Sequence, residues 1–226
     1  EEVKVLNHGL VRMIDNMGSD LSIVRNARVS YDAEWRAGED KGSDAKLINY
    51  LYNNGHNTPF EACFLTFEIK APIFVLRQWH RHRTQSYNEL SARYKELPEE
   101  FYIPEPEQVT TQSKDNKQMR TDEINPYSDE IIKEIKSTNA AAFQTYHRML
   151  NAGCPREIAR SVLPVGTYSH MFASMNLHNL FRFLSERLHQ HAQYEIRVYA
   201  EAILMLIEPL YPVAVKAFKK GLEAAA

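Results

Sequence analysis

The sequence predicts an α+β domain on three observations. Segments with a period of two stand beside segments with a helical period, and the two kinds mix without the regular alternation that builds a parallel sheet. No tract rich in Pro, Gly or Ser divides the 226 residues, so one domain, 1–226, is expected.

Residues 9–17 (Gly-Leu-Val-Arg-Met-Ile-Asp-Asn-Met) alternate well enough for a strand, and Gly18-Ser19-Asp20 turns or caps into a helical segment over 21–27. Ser43 is placed to cap a helix over 45–54 that stops at Gly55. In residues 64–70, Leu65, Phe67 and Ile69 share one face and Thr66, Glu68 and Lys70 the other, as in a half-buried strand. Pro72 suits the first position of a helix over 73–80, on which Phe74, Gln78 and Arg81 are neighbours, so Gln78 and Arg81 are expected to face one pocket. Residues 96–126 carry Pro98, Pro104, Pro106 and Pro126 among polar residues with little periodicity and read as a long excursion. From 128 to 152, Ile132, Ile135, Phe143, Tyr146 and Met149 keep helical spacing, which Gly153 ends. Pro155 starts a short helix carrying Glu157 and Arg160. Residues 167–175 read as a strand, and Asn176 caps one long helix that runs to residue 207 before Glu208-Pro209 stop it.

Lys plus Arg 27 against Asp plus Glu 29 leaves a formal charge of -2, so the molecule is no polycation built for nucleic acid. Two cysteines, Cys63 and Cys154, lie far apart without a CxxC, which fits a reducing compartment. No apolar run approaches the roughly 18 residues of a membrane span, and Glu1-Glu2-Val3-Lys4 does not read as a signal peptide. The expectation is a soluble, cytoplasmic protein with no membrane partner.

Positive charge is local instead. Residues 81–93 (Arg-His-Arg-Thr-Gln-Ser-Tyr-Asn-Glu-Leu-Ser-Ala-Arg) hold three guanidiniums, an imidazole, a carboxylate and four hydroxyls. Arginine presents a fixed fork of donors that matches phosphate and is costly to hold beside its own kind without an anion between them. A solvated basic loop accounts for the charge alone. It does not account for the apolar and aromatic flanks, Phe74, Val75, Leu76, Trp79 and Tyr94, or for the interleaved Ser86, Asn88, Glu89 and Ser91. A polyanion with a polar ring system uses all of these.

Ser91 is the obvious nucleophile, yet a serine needs a positioned base, and Arg93 would lower the basicity of Glu89; phosphate or sugar binding is the better assignment. His191 and Glu195, four apart on the expected long helix, could share a metal, but a helix hydrogen bond explains the spacing more simply and no metal is expected. Two other classes fit parts of the pattern. A metal-dependent nucleotide hydrolase would use His80, His82, His189 and His191, and a single-stranded RNA binder would stack bases on Trp79, Tyr87 and Tyr94, although the balanced charge favours a small anion.

The pattern RHRxxSxNExSxR resembles the signature of the flavin-dependent thymidylate synthases, with all eight fixed positions filled. The resemblance continues through residues 26–31, 55–61, 71–79 and 157–164. It implies an α+β fold, a homotetramer with active sites shared between subunits, and reductive methylation of dUMP to dTMP. Methylenetetrahydrofolate would be the carbon donor, with NADPH reducing bound FAD. Arg187 would contact the uracil ring and stabilise its N3-deprotonated form. Ser30, His56, Thr58, Arg81, His82, Arg83, Glu89, Asn176, His178 and Arg182 would line the flavin site. Gln78, Arg81, Glu89, Leu90, Ser91, Ala92, Arg93, Arg160 and Arg187 would bind the nucleotide. The sequence has no GxGxxG and no P-loop, so arginines and the helix amino end at Asn176 would serve the FAD phosphates. His56 reads equally as a helix-end cap just past Gly55. Neither cysteine reads as a positioned thiolate, in keeping with chemistry that uses no cysteine adduct.

Overall fold

Strict alternation in the strand Phe64–Pro72 (β3) sets the architecture of the computed structural model, which describes residues 1–225. Leu65, Phe67 and Ile69 are at most 1% exposed, while Thr66, Glu68 and Lys70 point to the opposite face. Strand Tyr168–Asn176 (β7) pairs with β3 antiparallel from Pro72↔Tyr168 to Phe64↔Asn176 and adds Met171, Ala173 and Met175 to the same buried face. Strands Glu2–Val5 (β1), Gly9–Met17 (β2) and Ser86–Glu89 (β4) complete a five-stranded antiparallel sheet in the order β1-β2-β3-β7-β4.

Helices cover the buried face. Ile73–Trp79 (α4) packs on β3, Leu177–Arg187 (α7) on β7, and Tyr194–Ile207 (α8) on β1 and β2. Trp79 is fully buried between Phe183, stacked at 4.5 Å, and Tyr199, edge-on at 6.3 Å. Burying each such ring stabilises the fold by about 1.5–3 kcal/mol before its ordering entropy is charged. Asp20–Arg28 (α1), Lys41–Asn53 (α2), Thr58–Glu61 (α3) and Pro212–Ala225 (α9) close the end of this layer, with α2 on α9. The Asp20 carboxylate accepts the backbone N–H groups of Val213 and Ala214, tying the start of α9 to the start of α1. Ser128–Asn151 (α5) and Arg156–Ala159 (α6) make a second, smaller cluster around Phe143, Tyr146 and Ala159. The outer face of the sheet carries Phe64 and Phe172, 41% and 43% exposed.

The structure departs from the sequence reading at several points. Helix α2 starts at Lys41, because the Asp40 carboxylate accepts from Gly42 N and Ser43 N; Ser43 lies inside the helix. Its stop at Gly55 holds, with φ +68, as does the stop of α5 at Gly153, φ +80. Pro72 is the last residue of β3 and the cap of α4. Residues 96–126 include a hairpin, Thr110–Gln112 (β5) with Arg120–Ile124 (β6). The helix capped by Asn176 ends at Arg187, and α8 starts anew at Tyr194 after an extended Gln193. A straight helix over 176–207 would run about 48 Å, well past the roughly 30 Å of a nine-residue strand. Breaking it returns Ile196, Tyr199 and Ile203 to the same core as Leu180, Phe183 and Leu184. Among the described residues no helix is long and apolar enough to cross a membrane.

Candidate active site

Helix α4 ends at Trp79, and the chain from there to β4 is held down at both ends. Trp79 Nε1 donates to Gln85 Oε1 at 3.0 Å, and the Tyr87 hydroxyl donates to the carbonyls of His82 at 2.6 Å and Trp79 at 3.2 Å. This seats the His82 ring edge-on against Phe183 at 4.8 Å, where its Nε2 accepts a 2.9 Å hydrogen bond from Arg187 Nε at the end of α7. An imidazole that accepts there is neutral, with its proton on Nδ1. Burial, then the Arg187 charge, hold the His82 pKa below the ordinary histidine value, while Glu186 opposes them.

Arg187 and Gln78 line one cavity of about 800 Å³, walled on the other side by the β5–β6 hairpin. Gln78 Oε1 is buried and has no hydrogen-bond partner in the chain. Arg81, expected beside Gln78, does not line this cavity, because the helix has ended and the chain has turned before it. Glu195, 4% exposed, organises the far wall: its carboxylate accepts from Arg120 at 3.0 Å on both oxygens, from the Tyr102 hydroxyl at 3.0 Å and from Gln193 Nε2 at 2.8 Å. Glu195 is therefore committed, and His191 lies between helices, not four residues before it on one. Among the described residues no three His, Cys, Asp or Glu side chains gather as a metal site. Trp79 is buried and offers no surface for base stacking.

A second set collects where β7 runs into α7. Asn176 Oδ1 accepts from Asn179 N at 2.8 Å, and Leu177 N donates to Cys63 O, so two of the N–H groups at that helix amino end are already satisfied. His178 lies near Glu61 and Arg182, its pKa lowered chiefly by burial. Thr58 opens α3. His56 stacks on Tyr50 at 5.7 Å and its N–H donates to Leu51 O, which makes it a helix-end residue, and Ser30 is exposed in a single turn of 3₁₀ helix, Val29–Tyr31.

A third set lies at the opposite end of β7. Glu89 Oε1 accepts from Ser169 Oγ at 2.8 Å and Leu90 N donates to His170 O at 2.8 Å. Ser91 closes a turn, accepting from Arg93 N at its hydroxyl and from Tyr94 N at its carbonyl, above the buried Ala92. The Arg93 guanidinium sits 5.6 Å over the exposed Tyr94 ring. Arg160 is exposed just past α6 and makes no ion pair with Glu157. From His170 to Asn176 the strand spans about 20 Å at 3.3 Å per residue, so one chain does not bring Ser91 and Arg93 together with Asn176 and His178.

Among the described residues Arg81, Arg83, Arg93, Arg160 and Arg182 have no carboxylate within 4.0 Å, a property they share with Arg25, Arg77 and Arg148 outside these sets, whereas Arg12, Arg28, Arg36 and Arg120 are paired. An unpaired guanidinium can meet an anionic ligand such as a phosphate. Sequence reasoning missed Arg120 and Tyr102, which lie in the proline-rich excursion; it singled out Glu195, but beside His191 on one helix and not with these two partners.

A family model described as "Thymidylate synthase complementing protein" matches residues 12–213. The chain is 47% identical over 219 residues to the flavin-dependent thymidylate synthase of Wolbachia pipientis wMel, covering 96% of this chain and 76% of that one. It is 42% identical to the enzyme of the same name from Treponema denticola, covering 97% and 82%. Among solved structures, the UMP/dUMP methylase PolB from Streptomyces cacaoi, bound with 5-Br dUMP, superposes with a TM-score of 0.86 at 36% identity, covering 96% of this chain and 97% of that one.

Proposed function

Because this chain belongs to the thymidylate synthase complementing protein family, we propose that it is a flavin-dependent thymidylate synthase that methylates dUMP to dTMP. The cofactor is FAD, methylenetetrahydrofolate gives the carbon, and NADPH gives the reducing equivalents. The enzyme is cytoplasmic, with both cysteines free.

One observation carries this reading. Gln78 lines the same cavity as Arg187, and its Oε1 is buried without a hydrogen-bond partner in the chain. A pyrimidine imide complements that pair: its N3–H donates to Gln78 Oε1 and its carbonyl oxygens accept from the guanidinium. The cation lowers the free energy of the imide anion and drives electron density toward C5, the carbon that receives the one-carbon unit. A flavin, when bound, would supply hydride chemistry, and Arg81, Arg83 and Arg182, which have no carboxylate within 4.0 Å among the described residues, are cations able to hold its phosphates. Cys63 is no nucleophile here, since burial pushes its thiol up to about 11.

The separation of Ser91 and Arg93 from Asn176 and His178 along β7, with Phe64 and Phe172 on the uncovered sheet face, supports a homotetramer in which neighbouring subunits complete each site. Glu89 to Arg93 and Arg160 then bind the nucleotide that faces another subunit's flavin.

Purified protein should be yellow or take up FAD, and should oxidise NADPH faster when dUMP is present. A protein that takes up no flavin and leaves NADPH untouched would overturn the reading. Replacing Ser91 with alanine should raise the KM for dUMP about ten-fold, the loss of one charge-assisted hydrogen bond, with little change in kcat. Complete loss of turnover with nucleotide binding intact would restore Ser91 as a nucleophile.

A further inference from the structure

We propose that His82 is the positioning residue for Arg187: its neutral ring, braced against Phe183, fixes the arginine at the cavity, and protonation of the ring releases it. The inference rests on the reading that Arg187 faces the pyrimidine. Arg187 uses Nε on His82, and among the described residues neither terminal nitrogen donates a hydrogen bond within the chain. The fork of the guanidinium is thereby held at one corner and left free at the other two, the arrangement needed to meet a carbonyl and an adjacent ring nitrogen. Among the described residues its only carboxylate neighbour within 4.0 Å is Glu186, at 4.0 Å and mostly exposed, too distant to orient it.

The brace is independent of any ligand. Phe183 lies between Trp79 and His82, and the Tyr87 hydroxyl fixes the His82 carbonyl, so the ring has support from α4, α7 and β4. The charged groups facing it are Arg187 and Arg182, which oppose its protonation, and Glu186 with Oε2 4.0 Å from Nε2, which favours it. On protonation Nε2 becomes a donor facing another donor, and two cations meet. Burial keeps the ring neutral to lower pH than an ordinary histidine, so the release belongs below about pH 6.5.

The test is dUMP binding by calorimetry on FAD-loaded protein between about pH 5 and 8, with steady-state kinetics alongside. Wild type would be compared with His82→Leu, which removes the acceptor, and His82→Gln, which places an amide oxygen near the position of Nε2 and cannot titrate. At pH 8 His82→Leu should bind dUMP about ten-fold more weakly, and His82→Gln should recover most of that loss. Toward pH 5 wild type should lose affinity more steeply than His82→Gln, while ionisation of the nucleotide phosphate acts on both alike. In an Arg187→Ala background, His82→Leu should cost nothing further. A full His82→Leu penalty without Arg187, or an identical acid limb in wild type and His82→Gln, would overturn the proposal while leaving the function standing. Absence of dUMP binding to FAD-loaded wild type at every pH would overturn both. Should His82→Leu fail to fold, the comparison of wild type with His82→Gln still decides.

Discussion

Replacing Arg187 with alanine should lower kcat about a hundred- to a thousand-fold, the loss that follows removal of one preorganised group stabilising developing charge. The same variant should still bind flavin. Arg187 closes α7, whereas the unpaired Arg81 and Arg83 lie beyond α4 and Asn176 and His178 sit at the other end of α7. The loss should appear in the chemical step: single-turnover reduction of the flavin by NADPH should stay near the wild-type rate, and formation of methylated product should slow. Arg187→Lys should recover little, because an ammonium is a point donor that cannot span a carbonyl and the ring nitrogen beside it. Turnover within a few-fold of wild type would remove Arg187 from the mechanism.

The largest effect on stability should come from Glu195→Ala. Breaking a buried ion pair by deleting one partner costs about 3–5 kcal/mol, since the other charge and its companion donors lose their acceptor. Here Arg120, Tyr102 and Gln193 would all lose theirs at once. For a chain of this length that corresponds to a fall in Tm of about 6–20 °C, readable by thermal and chemical denaturation. The damage should be uneven, because Arg120 is the link that fastens the β5–β6 hairpin to α8 and so sets the wall opposite Gln78. Glu195→Gln keeps the acceptor oxygen and should cost much less. A Tm change below a couple of degrees for Glu195→Ala would show that the network contributes little.

What the sequence made legible follows from the range of the forces involved. The alternation of Leu65, Phe67 and Ile69, the Asn176 cap and the glycine stops at Gly55 and Gly153 are local effects, and each holds in the structure. The break between α7 and α8 was hidden because it answers to the length of the sheet underneath, which no window of helical periodicity contains. The hairpin in 96–126 was hidden for a similar reason: Arg120 and Tyr102 are fixed by Glu195, 75 and 93 residues away. In the site, the density of charge in 81–93 was plain from composition. Its sorting was not, since strand pairing decides that His82 turns in toward Arg187 while Ser91 and Arg93 stay at the far end of β7.

The central claim is that this chain turns dUMP into dTMP through flavin-borne reducing equivalents. Mass analysis of the nucleotide after incubation with methylenetetrahydrofolate, NADPH and FAD tests it most directly. The expected result is dTMP formed in step with NADPH oxidised, and none from protein stripped of flavin. Unchanged dUMP in a reaction that consumes NADPH, or methylation that proceeds without flavin, would contradict it.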